Sequence, residues 1–267
     1  MEHRMTTQLL IDADFVLFRD CRAVERVASV TNLHGDTVDY LNCSREEAKD
    51  NFLKSVDGYM KRLFADEAIL VFSGTSNFRY DVWPQYKGNR AESRKPVSYW
   101  EIVRELKEEG NFRVVLEDCL EGDDYIGILA TRPSSVRRVI VSEDKDMQTL
   151  PDVEIWRQGQ LVETTPESAD RFWHYQTLMG DTTDGYHGCP GIGPVSAEKV
   201  LQKAGDPWEN ILQAYRAGCA KKPAALEKAG VETPEDLALL NARLARILRH
   251  TDWDTKSRRP ILWTPEA

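Results

Sequence analysis

Arg138-Val-Ile-Val-Ser-Glu-Asp-Lys-Asp146 is a short β-branched run that breaks directly into three acids. Its apolar part is long enough for a strand and too short for a helix. Two other segments have the same shape. Gln8-Leu-Leu-Ile-Asp12 is an apolar run ending in acid, with Asp14 two residues on, and Phe112-Arg-Val-Val-Leu116 leads into Glu117, Asp118, Glu121, Asp123 and Asp124. Ala68-Ile-Leu-Val-Phe72 reads as a further strand, followed by a polar and aromatic stretch over 73–95.

Helical patterns lie between these strands. Residues 45–65 place Phe52, Val56, Tyr59, Met60 and Leu63 at helical spacing behind a Ser44/Glu47 capping box. Pro96 opens a helix that Gly110 closes, another covers about 122–131, a hairpin turns at Gly159, and Thr165-Pro166 starts a helix to Met179. Strands alternating with helices predict an α/β domain with a mostly parallel central sheet flanked by helices. In such a sheet the carboxyl ends of the strands share one edge, so acids far apart in sequence converge there. Beyond Gly180 the texture changes to a Gly/Pro-rich turn at 185–194 and helices near 195–204, 207–217 and 234–249. The expected division is a catalytic domain over 1–179, with a loop region at about 73–96, and a helical domain over 180–267.

The 267 residues allow one large domain, or one plus a small satellite. With 41% hydrophobic and 30% charged residues, wholesale disorder is excluded. No apolar run reaches the roughly 18–20 residues of a membrane span. The start lacks a signal peptide's apolar stretch, which predicts a cytoplasmic protein. Five scattered cysteines without CxxC spacing indicate neither a zinc site nor a disulfide frame. A net charge of −9 argues against a general polyanion binder, unless many acids are gathered around cations.

A single acid after a strand is ordinarily a solvated turn residue. Acids after three strands, joined by Asp181 and Asp184, are better read as one metal site. Two carboxylates ~4 Å apart repel by about 4 kcal/mol at an effective dielectric near 20, so such a cluster needs neutralising. All-oxygen ligands select Mg²⁺ or Mn²⁺, and two such ions make a phosphodiester-cleaving centre. Two segments suit a polyanion. Tyr86-Lys-Gly-Asn-Arg90, with Arg94, Lys95 and the preceding Phe78, Arg79, Tyr80 and Trp83, mixes basic and aromatic side chains. Gly191-Ile-Gly193 directly before a helix points backbone N–H groups at a phosphate, with Lys199 one turn on.

These blocks resemble the structure-specific 5′ nucleases: flap endonucleases, the 5′-nuclease domain of bacterial DNA polymerase I and, closest in texture, the stand-alone 5′–3′ exonucleases of T7-like phages. Leu10-Ile-Asp12 is similar to the family's first acidic strand, Leu120-Glu-Gly-Asp-Asp124 to its acidic helix start, and Ser142-Glu-Asp-Lys-Asp146 to its Asp-Lys-Asp motif. Gly180-Asp-x-x-Asp184 followed by Gly-Ile-Gly resembles the final acid pair and helix–hairpin–helix. The resemblance implies a PIN-like nuclease fold with a C-terminal helix–hairpin–helix domain. It implies that Asp12, Glu121, Asp123, Asp144 and Asp146 hold one ion and that Asp124, Asp181 and Asp184 hold or orient a second. Asp144 is then catalytic through its ion. Tyr86, Lys87 and Arg90 match the basic block of the family's arch, with Lys87 and Arg90 stabilising charge at the scissile phosphate. Gly191, Ile192, Gly193 and Lys199 would grip duplex DNA, with K⁺ at the hairpin.

Two departures stand out. After the strand at 68–72 the family places an aspartate, but this chain reads Ser73-Gly-Thr75, and Asp14 is a candidate substitute if the strand continues to it. Val195 stands where relatives often carry lysine. His187 and Glu143 read as surface residues, and Trp173 and Tyr175 as helix packing. The expected function is a Mg²⁺- or Mn²⁺-dependent 5′–3′ exonuclease on duplex DNA, with flap or RNA–DNA hybrid activity beside it and no obligate protein partner. The rivals are a PIN-type ribonuclease and a DNA-structure-binding protein with weak or lost turnover.

Overall fold

A computed structural model describes residues 5–89 and 94–265. The chain runs β1 (Thr7–Asp12), α1 (Ala13–Val24), a hairpin of β2 (Arg26–Thr31) and β3 (Thr37–Asn42), α2 (Arg45–Arg62), β4 (Glu67–Ser73), a short α3 (Arg79–Val82) and α4 (Tyr99–Glu109). It continues through β5 (Arg113–Glu117), α5 (Gly122–Ala130), β6 (Arg137–Val141), β7 (Glu154–Arg157), β8 (Gln160–Glu163) and α6 (Pro166–Met179). Four helices follow: α7 (Pro194–Leu201), α8 (Pro207–Lys221), α9 (Ala224–Ala229) and α10 (Pro234–Ala245).

The main sheet has the order β5-β4-β1-β6-β7-β8, parallel throughout except for β8, so the predicted mixed α/β architecture is present. β1 lies between β4 and β6 and is buried on both faces, as a central parallel strand should be. Leu9 and Ile11 pack with Phe52, Leu70, Phe72 and Tyr99 on one side of the sheet. Leu10 packs with Val71, Ile126, Ile140 and Met147 on the other. The strand order reverses between β1 and β6, and the crevice outside their carboxyl ends is where such sheets bind ligands.

Three local expectations change. The strand does not continue to Asp14: Asp12 ends β1 and caps α1, its Oδ1 accepting from the Phe15 N–H at 3.4 Å. Asp14 therefore rides on the first helical turn. Pro96 opens only a turn, its carbonyl accepting from the Tyr99 N–H, and α4 begins at Tyr99. The last helix stops at Ala245 rather than 249, because the following segment is drawn to the α/β half. Arg79 Nη2 donates to the Arg246 carbonyl at 2.7 Å, the Leu248 N–H donates to Asp124 at 3.2 Å, and Ile247 joins the sheet's core. The chain just beyond α10 thus packs against the α/β half, Trp263 returns to Trp173 and Trp208, and α6 to α10 share a separate core around Leu178, Ile211 and Tyr215.

Candidate metal centre

At the carboxyl edge of the sheet lies a cavity of about 580 Å³. Asp12, Asp14, Glu121, Asp123, Asp144, Asp146, Asp181 and Asp184 all line it, together with Lys87 and Lys95. Local chemistry places each acid. Asp12 takes the Ser142 hydroxyl on Oδ2 at 3.0 Å, which ties the ends of β1 and β6 together. Asp144 caps the 3₁₀ turn Lys145–Thr149, accepting from the Asp146 N–H at 2.8 Å. Glu121 stands at the start of α5, so Asp123 projects from its first turn. Asp181 Oδ1 accepts from the Thr183 N–H at 2.7 Å and holds the 181–184 turn, which carries Asp184.

That turn depends on two glycines. Gly180 has φ +68° and Gly188 φ +63°, and a Cβ on Gly180 would come within 2.4 Å of the Gly188 nitrogen. Side chains at either position would push the 181–184 loop away from the bowl.

The electrostatics show what the acids lack. Burial, then the neighbouring Asp14 charge, raises Asp12 to about 6. Burial, then Asp144, raises Asp146 to about 7. Asp123 is raised well above the carboxylate range by burial and by Asp12, Asp144 and Glu121. Burial alone would raise Glu121, yet Arg79 and Lys87 hold it below its usual value. Asp14 is likewise held low against its burial, by Lys95 and by bonds from Ser73 and Tyr99. Asp146 Oδ1 is buried with no hydrogen-bond partner. A buried orphan oxygen among mutually repelling carboxylates fits a hard divalent cation, which oxygen ligands alone can hold. Among the described residues, no three acids, histidines or cysteines already form a closed ligand set, so any ion would draw the side chains inward.

A pH prediction follows from the direction of these shifts. In the ion-free chain, folded Asp12 and Asp146 keep protons that the unfolded chain, with its carboxylates near 3.9, has already shed. Stability therefore falls as pH rises from about 4 to about 7. Thermal melts in EDTA should show a midpoint at least ~5 °C lower at pH 8 than at pH 5. Millimolar Mg²⁺ should remove most of that difference. Equal midpoints at both pH values without metal would contradict the assignment.

The pattern of the family described as 5′-3′ exonuclease, N-terminal resolvase-like domain, matches residues 7–173, which is more than half of the chain. The chain belongs to the 5′–3′ exonuclease family. The exodeoxyribonuclease of Enterobacteria phage T3 is 32% identical, over 97% of this chain and 93% of that protein. The exonuclease of Escherichia phage T7 is 31% identical, over 96% and 93%. The fold is shared with the bacteriophage T5 D15 flap endonuclease, solved in a pseudo-enzyme–product complex with DNA and metal ions. The TM-score is 0.61 at 20% identity, covering 90% of this chain and 88% of that one.

In this 5′–3′ exonuclease, seven of the eight acids read from the sequence as metal ligands line one cavity. Asp124 does not. It is fully buried and its carboxylate is gripped by the Arg79 guanidinium at 2.6 and 2.9 Å, with the Glu121 and Leu248 N–H groups on the remaining lone pairs. Its oxygens are spent on fixing α5 to the chain beyond α10, which sets it apart from the seven acids that line the cavity. Tyr86 is corrected too. Its ring is 2% exposed, so it cannot stack on a base, and its hydroxyl donates to Asp184 at 2.7 Å, with Glu121 Oε2 at 3.2 Å. It orients two acids.

Lys87 stands inside the bowl and donates to Glu121, with Asp184 at 4.0 Å. Arg90 lies outside the described residues. Gly191 and Lys199 are exposed, Gly193 caps α7, and Ile192 packs against the helical core. His187 is exposed and contacts Lys228 at 2.8 Å, while Trp173 is buried, with its indole N–H on the Ala242 carbonyl at 2.8 Å. Sequence reasoning missed Arg79 as the partner of Asp124, and Ser142 as the clamp on Asp12. For Arg79 a signal existed: a helix carrying two adjacent acids cannot aim both at one site.

Proposed function

We propose that this protein is a divalent-metal-dependent 5′–3′ exonuclease that hydrolyses phosphodiester bonds from 5′ ends of duplex DNA. The observation that carries the reading is the buried, unpartnered Asp146 oxygen among acids brought from the ends of β1, β5 and β6. The T3 and T7 relatives, named as an exodeoxyribonuclease and an exonuclease, support the reaction. The T5 enzyme's complex with DNA and metal ions supports the substrate and cofactor.

In this reading Asp12, Glu121, Asp123, Asp144, Asp146, Asp181 and Asp184 hold Mg²⁺ or Mn²⁺, in two sites. Bound there, the ions supply Lewis-acid stabilisation of charge on phosphoryl oxygens. The chain's own groups do the rest. Lys87 places an ammonium in the cavity where negative charge develops, and Arg90 belongs to the same basic block. Tyr86, its hydroxyl pushed far above its usual value by burial and so still protonated, keeps Asp184 and Glu121 aimed into the bowl. We place the catalytic half in residues 1–179, of which the last helix, α6, packs into the core of the helices beyond it. The helical half from 180 grips the duplex through the Gly191–Gly193 turn and the free N–H groups at the start of α7, with K⁺ and Lys199 beside it. Flap and RNA–DNA hybrid cleavage belong to the same proposal, since each substrate presents a 5′ end.

Incubation with 5′-labelled duplex and Mg²⁺ should release mononucleotides from the 5′ end. Internal cuts in RNA would favour a PIN-type ribonuclease instead, and binding without cleavage under any divalent ion a DNA-structure-binding protein. Lys87→Ala should lower turnover by about 10²-fold. The same change should flatten the dependence of log affinity on log salt by about one, read by DNA titration at several ionic strengths. Wild-type turnover and slope would remove Lys87 from the site.

A further inference from the structure

β1, β5 and β6 each feed the bowl an acid from the chain that directly follows them, but β4 ends in Ser73-Gly-Thr75. Ser73 itself lines the cavity, but it brings a hydroxyl there rather than a carboxylate. Ser73 Oγ is taken by the Gly122 N–H at 3.0 Å. A Cβ on Gly74 would lie 2.1 Å from the Glu117 carbonyl oxygen, and Thr75 bonds to Asp118, which does not line the cavity.

Asp14 occupies that gap. The first turn of α1 delivers its carboxylate to the end of β4, where Oδ2 accepts from the Ser73 N–H at 2.7 Å. Oδ1 receives the Lys95 ammonium at 2.9 Å and the Tyr99 hydroxyl. The carboxylate lines the same cavity as Asp12, Asp123 and Asp144. Lys95 reaches it across the Tyr99 ring, 4.3 Å from the centroid, on a side chain 37% exposed. A long, partly solvated tether allows the ammonium to leave when a stronger cation arrives.

We propose that Asp14 is a metal-binding residue that closes the bowl at the end of β4, and that Lys95 is the tethered cation that keeps its place in the ion-free chain. The inference rests on the metal-dependent reading above. It makes the Asp14–Lys95 pair a competition between an internal monovalent charge and an external divalent one. Removing the acid then weakens ion binding, and removing the lysine strengthens it.

The test is titration of the full chain with Mn²⁺ alone, without DNA, counting free Mn²⁺ by electron paramagnetic resonance. Asp14→Asn keeps an oxygen for the Ser73 N–H, so the fold is retained. It should bind Mn²⁺ about 10-fold or more weakly, or bind one ion fewer. Lys95→Met keeps the apolar stem over Tyr99 and should bind Mn²⁺ about 3- to 10-fold more tightly. Wild-type Mn²⁺ binding in either folded variant overturns the proposal, and if Asp14→Asn fails to fold, Lys95→Met decides alone. Asp144→Asn serves as the control. If it too binds Mn²⁺ as the parent does, the metal site itself is wrong. If Asp144→Asn loses ions and Asp14→Asn does not, only the role of Asp14 falls.

Discussion

Asp144→Asn should cut duplex DNA about 10²–10³-fold more slowly than the parent while binding it with unchanged affinity. The asymmetry comes from geometry. Asparagine keeps the oxygen that accepts from the Asp146 N–H, so the 3₁₀ turn that carries Asp146 survives. What disappears is one unit of negative charge on the lining of the bowl, and with it part of the attraction for the ions. Phosphate contacts proposed for Lys87, the basic block and the α7 turn are untouched. Single-turnover cleavage in Mg²⁺ and equilibrium binding in Ca²⁺ separate the two effects. Undiminished cleavage would remove Asp144 from the site. Cleavage and binding lost together would mean that the turn had collapsed.

The second large effect is on stability. Arg79 is 4% exposed and ties the start of α5 to the end of α10: it bonds Glu121 and Asp124, the Leu244 carbonyl in the last turn of α10 and the Arg246 carbonyl just beyond it. Arg79→Met would leave Asp124 charged and buried with its main partner gone. Breaking a buried pair from one side costs about 3–5 kcal/mol, which at this chain length lowers the melting temperature by roughly 10 °C. Replacing both partners by apolar groups removes the stranded charge, so Arg79→Met with Asp124→Leu should recover a large part of the loss. Thermal melts of the two single variants and the double complete the cycle. An Arg79→Met protein as stable as the parent would show that this contact carries little.

Most acids of the bowl were legible because they follow short apolar strands, and a parallel sheet brings strand ends to one edge, whereas Asp181 and Asp184 follow α6. The pairing order of the strands was not legible, since no single segment encodes its neighbour. The place of Asp124 was not legible because its motif is written along the sequence while its direction is set by helical rotation. Asp123 turns into the cavity and Asp124, one residue on, turns into the interior. Tyr86 was misread for a related reason: a tyrosine among lysines looks like a stacking residue, and only packing against Trp83, Trp173 and Tyr186 shows the ring to be core. Helix α1 did carry a signal, with Val16, Leu17, Cys21 and Val24 at helical spacing. The β2–β3 hairpin left almost no pattern to find. All but one of its twelve residues are exposed, so neither face is marked by burial.

The central claim is that carboxylates from the ends of β1, β5 and β6 share divalent ions. A crystal soaked in Mn²⁺ tests it most directly, because anomalous scattering locates the ions without assumption. The account predicts one or two peaks inside the cavity, each within about 2.0–2.6 Å of oxygens drawn from at least two of these strand ends, Asp146 Oδ1 among them. A soaked crystal with no peak in the bowl, or with Mn²⁺ only on isolated surface carboxylates, would contradict it.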